Sequence, residues 1–95
     1  MTIKFPVQRF TVFGNSMIPT LKPGQDVLVL CWFYRLKIGD LVAFNKNGKE
    51  MIKRIKQMSS DRGIFVQGDN ESESTDSRNF GWIDKKNIIG KVIYS

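Results

Sequence analysis

Asn47-Gly48, standing between Leu41 to Phe44 and Glu50 to Lys56, constrains this chain more than any other feature. A two-residue β-hairpin turn needs positive φ at both central residues, and Asn followed by Gly takes that conformation at the least cost. The flanking segments are therefore expected to pair as antiparallel strands. In the second of them, the two-residue period of a strand puts Met51, Lys53 and Ile55 on one face and Glu50, Ile52, Arg54 and Lys56 on the other. One lysine thus lies on an apolar face.

The remaining segments read as β for similar reasons. Gln8 to Phe13 alternates imperfectly and ends at Gly14, a first strand. Lys22-Pro23-Gly24-Gln25 is a turn, because Pro presets φ at the second position and Gly accepts positive φ at the third. Asp26 to Tyr34 is a run of β-branched, aliphatic and aromatic residues expected to form a strand buried on both faces, or one with an exposed apolar patch. Ile64 to Gln67, Phe80 to Ile83 and Ile88 to Tyr94 complete the sheet, with Gly90 expected at a bulge or bend. Gly68 to Arg78 has the composition of a flexible, solvated loop. No internal repeat and no convincing helical pattern is present.

The chain's 95 residues make one domain, 1–95, with a single core. The single cysteine, Cys31, sits in an apolar run and is expected to be a buried small hydrophobe. It has no partner of its kind for an internal disulfide. With one cysteine and no histidine, the ligands of a zinc or iron-sulfur site are missing, and no cofactor is expected. No apolar run reaches 18 residues, and Met1 to Gln8 lacks the apolar centre of a signal peptide. The sequence therefore reads as soluble and cytoplasmic, without a transmembrane segment. A net charge of +6 suggests attraction to an acidic partner or an anionic membrane surface.

Chemistry concentrates in Gly14-Asn15-Ser16-Met17-Ile18-Pro19-Thr20-Leu21, which places one serine at the start of a Pro-punctuated turn. A serine hydroxyl is a poor nucleophile until a base takes its proton, and the usual base is histidine. Without histidine the base must be a lysine or a carboxylate, which points to the Ser-Lys variant. A lysine is a base only when neutral, and at its ordinary pKa only about one in a thousand is neutral near pH 7.5. Burial disfavours the charged form. Lys53, on an apolar face, has the surroundings that such a change requires.

Four stretches, in this order, resemble the boxes of the type I signal peptidase family: Gly14 to Leu21, Gly39-Asp40, Ile52-Lys53-Arg54, and Gly68-Asp69-Asn70 through Ser74-Thr75-Asp76-Ser77-Arg78. The resemblance spans most of the chain. It implies a Ser-Lys endopeptidase with an all-β catalytic fold, a small, mostly antiparallel barrel or sandwich with little or no helix, cutting after small residues of an extended substrate. Matched position by position, Ser16 would be the nucleophile and Lys53 the general base. Ser74 would orient the lysine, Asp76 and Arg78 would form a structural ion pair, and Asp69 would support the same loop. Gly14 stands where some members carry a serine that stabilises the oxyanion, so backbone N–H groups, that of Ser16 included, would have to serve.

The chain's shortness and the lack of an anchor argue against bulk secretory processing. Small soluble members of similar sequence include the maturation peptidases of nickel-type superoxide dismutase, which implies a protein substrate with an N-terminal extension. Trp32-Phe33-Tyr34 suggests instead a peripheral contact with a membrane interface. Two other classes of function compete. A basic, aromatic-rich small β-barrel can bind single-stranded nucleic acid, but the acidic Glu71 to Asp76 stretch and the Ser16/Lys53 pair argue against it, and no nucleic acid is expected. A self-cleaving regulator of the SOS type shares Ser-Lys chemistry, but no helix-turn-helix is present, and the one alanine, Ala43, precedes Phe44 where such proteins cut an Ala-Gly bond.

Overall fold

The structure, a computed structural model, describes residues 6–94. Six strands, β1 (Val7–Thr11), β2 (Asp26–Leu30), β3 (Leu41–Lys46), β4 (Lys49–Ser59), β5 (Gly63–Gln67) and β6 (Ile88–Tyr94), form one sheet in the order β1-β2-β6-β3-β4-β5. Every pairing is antiparallel. Among the described residues, helix is confined to α1 (Ser77–Phe80) and two 3-10 turns at Glu71–Glu73 and Lys85–Asn87. The all-β expectation holds, with one correction: the sheet is not closed into a barrel. β1 and β5 are its two edges and do not pair with each other. Among the described residues, no helix is long and apolar enough to cross a membrane.

The β3–β4 hairpin forms where Asn47-Gly48 places it. Lys46 pairs with Lys49, and Asn47 and Gly48 take φ of 53° and 80°. Asn45 adds to the turn by accepting the Gly48 N–H on Oδ1 at 2.9 Å. β4 is long enough to serve two neighbours, its first half pairing with β3 and its second with β5. The single core expected for this length is in fact two apolar clusters. One gathers Val12, Met17, Leu21, Val27, Val29 and Ala43; the other gathers Val42, Phe44, Ile55, Ile64, Val66 and Ile83. Neighbours in sequence such as Val42 and Ala43 fall in different clusters because successive side chains point to opposite sides of the sheet. A strand covered on both sides reads as a continuous apolar run, and β3 does.

Three segments depart from their sequence expectations. The strand expected over Asp26 to Tyr34 ends at Leu30, since Phe33 has a φ of 56° and leaves extended backbone. Cys31 is half-buried against the first cluster rather than fully enclosed. Phe80 to Ile83 is not a strand: Phe80 closes α1, and only Ile83 reaches the sheet, through an isolated bridge to Ile64. The cause is local, because Asp76 and Asn79 form a reciprocal capping box and Gly81 accepts the positive φ that ends the helix. Gly90 lies beside an irregularity of the β3–β6 register, as expected of a bulge. A Cβ there would meet the Leu30 carbonyl oxygen at 2.3 Å, so the close approach of β2 requires glycine.

Candidate active site

Ser16 lies in the turn that follows β1. Gly14, at a φ of 75°, redirects the chain, and buried Met17 and Leu21 anchor what comes after. The Leu21 N–H donates to the Met17 carbonyl at 2.9 Å, closing the turn. Ser16 is therefore held between exposed Asn15 and buried Met17, half-exposed itself.

The loop after β5 clamps this turn from the other side. The Asn70 N–H donates to the Ser16 carbonyl at 2.8 Å, and the Asn70 side-chain amide donates to the Asn15 carbonyl at 3.0 Å. Thr20 donates its hydroxyl to Asp69. Arg54 in turn grips both Asp69 oxygens, from Nε and Nη2 at 2.8 Å each, and reaches the Gly39 carbonyl from Nη1 at 2.6 Å. This fork geometry matches a carboxylate more closely than a lysine could. The Arg54 hydrogen bonds hold the Asp69 carboxyl below the usual range despite an opposing effect of burial. The turn carrying Ser16, the strand carrying Lys53 and the loop after β5 are thus tied into one unit.

Lys53 lies opposite Val42 in the β3–β4 pair and is 4% exposed. Its Nζ stands 2.5 Å from Ser16 Oγ. Burial pushes the Lys53 pKa down, the Asp76 carboxylate pulls it back up, and the Lys49 ammonium adds a further push downward. The result is a lowered pKa, the direction in which an amine becomes available as a base near neutrality.

Asp76 is fully buried and accepts five hydrogen bonds: from the Gly68 N–H, the Ser74 hydroxyl, the Arg78 N–H and two guanidinium nitrogens of Arg78. Burial alone would raise its pKa, but the Arg78, Ser74 and backbone donors outweigh that effect and hold the carboxyl well below the usual range. It stays charged and closes the electrostatic balance around Lys53. Ser74 donates to Asp76 at 2.6 Å, and among the described residues no hydrogen bond joins it to Lys53. The Asp76–Arg78 ion pair measures 2.9 Å.

Sequence reading assigned no role to Gly68, Arg54 or Thr20. A Cβ on Gly68 would meet Ser74 Oγ at 2.2 Å and the Ser16 carbonyl oxygen at 2.6 Å, so glycine is what lets the loop lie against the serine turn. Strand period was enough to put Arg54 on the face opposite Lys53, but its acidic partner, 15 positions away, carries no local signal.

A cleft of about 1040 Å³ opens over Ser16 and Lys53, walled by β1 and by the start of β4, with Thr75 and Glu73 on its rim. Among the described residues, the Ser16 backbone N–H has no hydrogen-bond partner. The described residues contain no cluster of three or more His, Cys, Asp or Glu that could hold a metal ion. The arrangement offers a hydroxyl, an amine with a lowered pKa, an unused N–H and open space above them.

A family model described as peptidase S24-like matches residues 4–93. Signal peptidase IB of Staphylococcus aureus is 28% identical over 149 aligned positions, which cover 96% of this chain and 78% of that protein. Mitochondrial ATP-independent inner membrane protease subunit 1a of Arabidopsis thaliana is 29% identical over 121 positions, covering 98% of this chain and 72% of that protein.

Proposed function

The chain belongs to the peptidase S24-like family, and on that footing we propose that it is a serine endopeptidase in which Ser16 attacks and Lys53 carries the proton. The observation that carries this reading is the 2.5 Å approach of Lys53 Nζ to Ser16 Oγ in a site that also lowers the lysine's pKa. Neutral Lys53 takes the hydroxyl proton as Oγ adds to the scissile carbonyl. The carbonyl oxygen, now an oxyanion, accepts the Ser16 N–H. As the intermediate collapses, Lys53 gives its proton to the leaving amine, and an ester joins Ser16 to the acyl half of the substrate. Water, deprotonated in turn by Lys53, hydrolyses that ester and restores the serine.

The other residues serve this pair. Asp76 favours the transient ammonium electrostatically, while burial disfavours it and lowers the lysine's pKa. Ser74 acts through Asp76, and the Arg54–Asp69–Thr20 chain fixes the serine turn against the loop. The name signal peptidase supports removal of an N-terminal signal from a protein substrate, and removal of a propeptide would be the same reaction. Maturation of a superoxide dismutase is a candidate carried by sequence resemblance alone.

The test is cleavage of peptides containing small residues by Ser16→Ala, Lys53→Met and Lys53→Arg variants. Each is expected to lose at least about a thousandfold in kcat/KM, since nucleophile and base act as a unit. Lys53→Met nearly preserves volume and removes a buried amine, so it should be at least as stable as the parent near neutral pH. Because the folded pKa of Lys53 lies below its unfolded value, the parent's own stability should rise with pH between the two. An active Lys53→Arg variant would end the proposal, for a guanidinium stays charged.

A further inference from the structure

The β2–β3 loop, residues 31–39, carries an apolar surface that the proposed chemistry does not use. Phe33 is 99% exposed, Ile38 62% and Trp32 42%. Val7, paired with Leu30 at the foot of the loop, is also exposed. Singly exposed apolar residues are ordinary, but a fully exposed phenylalanine at a φ of 56°, with a tryptophan beside it and an isoleucine in the same loop, is not. Arg35 and Lys37 are exposed in the same segment, and among the described residues neither side chain makes a hydrogen bond or ion pair. Residues 31–39 contain no acid. Asp40, which follows, turns inward to cap the Lys37 N–H and pairs with Lys91 at 3.5 Å.

Aromatic and aliphatic side chains combined with cations that make no ion pair match the chemistry of the headgroup region of an anionic bilayer, where rings enter the interface and cations meet lipid phosphates. We propose that this loop docks the protein on an anionic lipid bilayer, with Trp32, Phe33 and Ile38 inserted and Arg35 and Lys37 at headgroup level. The loop's place in the fold gives the docking a use. The Cys31 N–H donates to the Pro6 carbonyl at 2.6 Å, so the loop springs from the start of β1, the strand that walls the cleft. β1 then runs about 17 Å toward the Ser16 turn. A substrate segment leaving a membrane at the loop would need only a short extended stretch along β1 to reach Ser16. This last step rests on the peptidase reading; the docking itself does not.

The experiment therefore uses Ser16→Ala protein, in which catalysis is absent by design, and vesicles of phosphatidylcholine with or without phosphatidylserine. Only two tryptophans are present, and Trp82 is packed against Phe65 and Arg62, so Trp82→Phe leaves Trp32 as the sole reporter. The expected result is co-sedimentation with anionic vesicles, together with a blue shift of Trp32 emission and its quenching by brominated lipid. Phe33→Asn should weaken partitioning by about tenfold or more, and Arg35→Glu with Lys37→Glu should remove the preference for anionic lipid. Co-sedimentation does not depend on the Trp82 variant and stands as the second measurement. Absence of vesicle binding at low salt overturns the proposal. So does binding that ignores Phe33→Asn, which would be general attraction to a basic protein. A concentration-dependent dimer that Phe33→Asn disperses, without lipid binding, would assign the surface to a second copy of the chain. Cleavage of a soluble peptide by protein with Ser16 intact and Phe33→Asn should be unchanged; if the parent cuts no peptide, the peptidase reading falls and the vesicle result stands.

Discussion

Residues 31–39 and 68–78 are two stretches of similar length between strands of one sheet, and they meet water in opposite ways. The first is apolar and aromatic, yet Phe33 and Ile38 stand in solvent. The second is rich in carboxylates and hydroxyls, yet Gly68, Asp76 and Ser77 are buried. Partners explain the contrast. Asp76 finds five donors within its own stretch, and Ser77 accepts the Val66 N–H at 2.9 Å, so the hydrogen bonds surrendered to burial are replaced. Phe33 finds no apolar surface to cover it. Burial here follows the supply of matching groups, and composition alone does not report that supply.

The sharpest way to break the comparison is Asp76→Ala, which should be the most damaging substitution in either segment. It removes the acceptor of five hydrogen bonds and leaves the Gly68 N–H without one, at a cost of about 3 kcal/mol in denaturant unfolding. Cleavage should fall as well, since the loop would no longer hold the serine turn or balance Lys53. The same carboxylate sets a pH dependence. Its folded pKa lies below the unfolded one, so its contribution is complete above the ordinary carboxylate range and is lost as pH falls through that range toward the folded value. Melting temperature should therefore drop below about pH 4 in the parent, and that part of the drop should be missing in Asp76→Asn. Identical acid profiles would show Asp76 to be no more than a solvated loop residue.

Gly68→Ala comes next, at about 2 kcal/mol, because the new methyl meets backbone at Ser16 and must displace it. Activity should suffer more than stability, since the displaced atom belongs to Ser16, the proposed nucleophile. Ser74→Ala is smaller, about 1 kcal/mol for one lost hydrogen bond to Asp76, with slower turnover and an intact fold. The two are coupled, because the Ser74 hydroxyl is the nearest atom to the added methyl. A double variant should cost less than the two single effects added together. Strict additivity would mean that the loop does not press on the serine turn as the structure has it.

How much of this was legible in the sequence follows the range of the interactions. The β3–β4 hairpin was written locally in Asn47-Gly48, and Lys53's apolar face in the two-residue period of its strand. Ile88 to Tyr94 was bounded correctly by its apolar run. Ser16 stood out as a candidate nucleophile through its turn and the lack of histidine. The open sheet was not legible, since closure depends on whether the edge strands meet and nothing local encodes that. The Arg54–Asp69–Thr20 tie joins residues up to 49 positions apart and has no periodic trace. The burial of Asp76 was hidden by the polarity that makes it satisfiable. Phe33 misled in the other sense, because an aromatic run in sequence looks the same whether it is headed for a core or for a surface.

Phe33→Asn should have the smallest effect, and for that reason it tests the comparison from its other side. The ring is 99% exposed and its φ is 56°, so the parent gains little from burial and holds an aromatic residue in backbone that L-residues disfavour. Asparagine tolerates that conformation better than phenylalanine, and unlike glycine it does not greatly enlarge the freedom of the unfolded chain. The variant should match the parent's stability or exceed it, by up to about 1 kcal/mol. Its cleavage of a soluble peptide should be unchanged, because Phe33 is at the end of β1 remote from Ser16. A loss of about 2 kcal/mol or more would mean that the ring has a packing partner within the chain. The contrast between the two stretches would then fail, and with it the case for a loop left open to a bilayer.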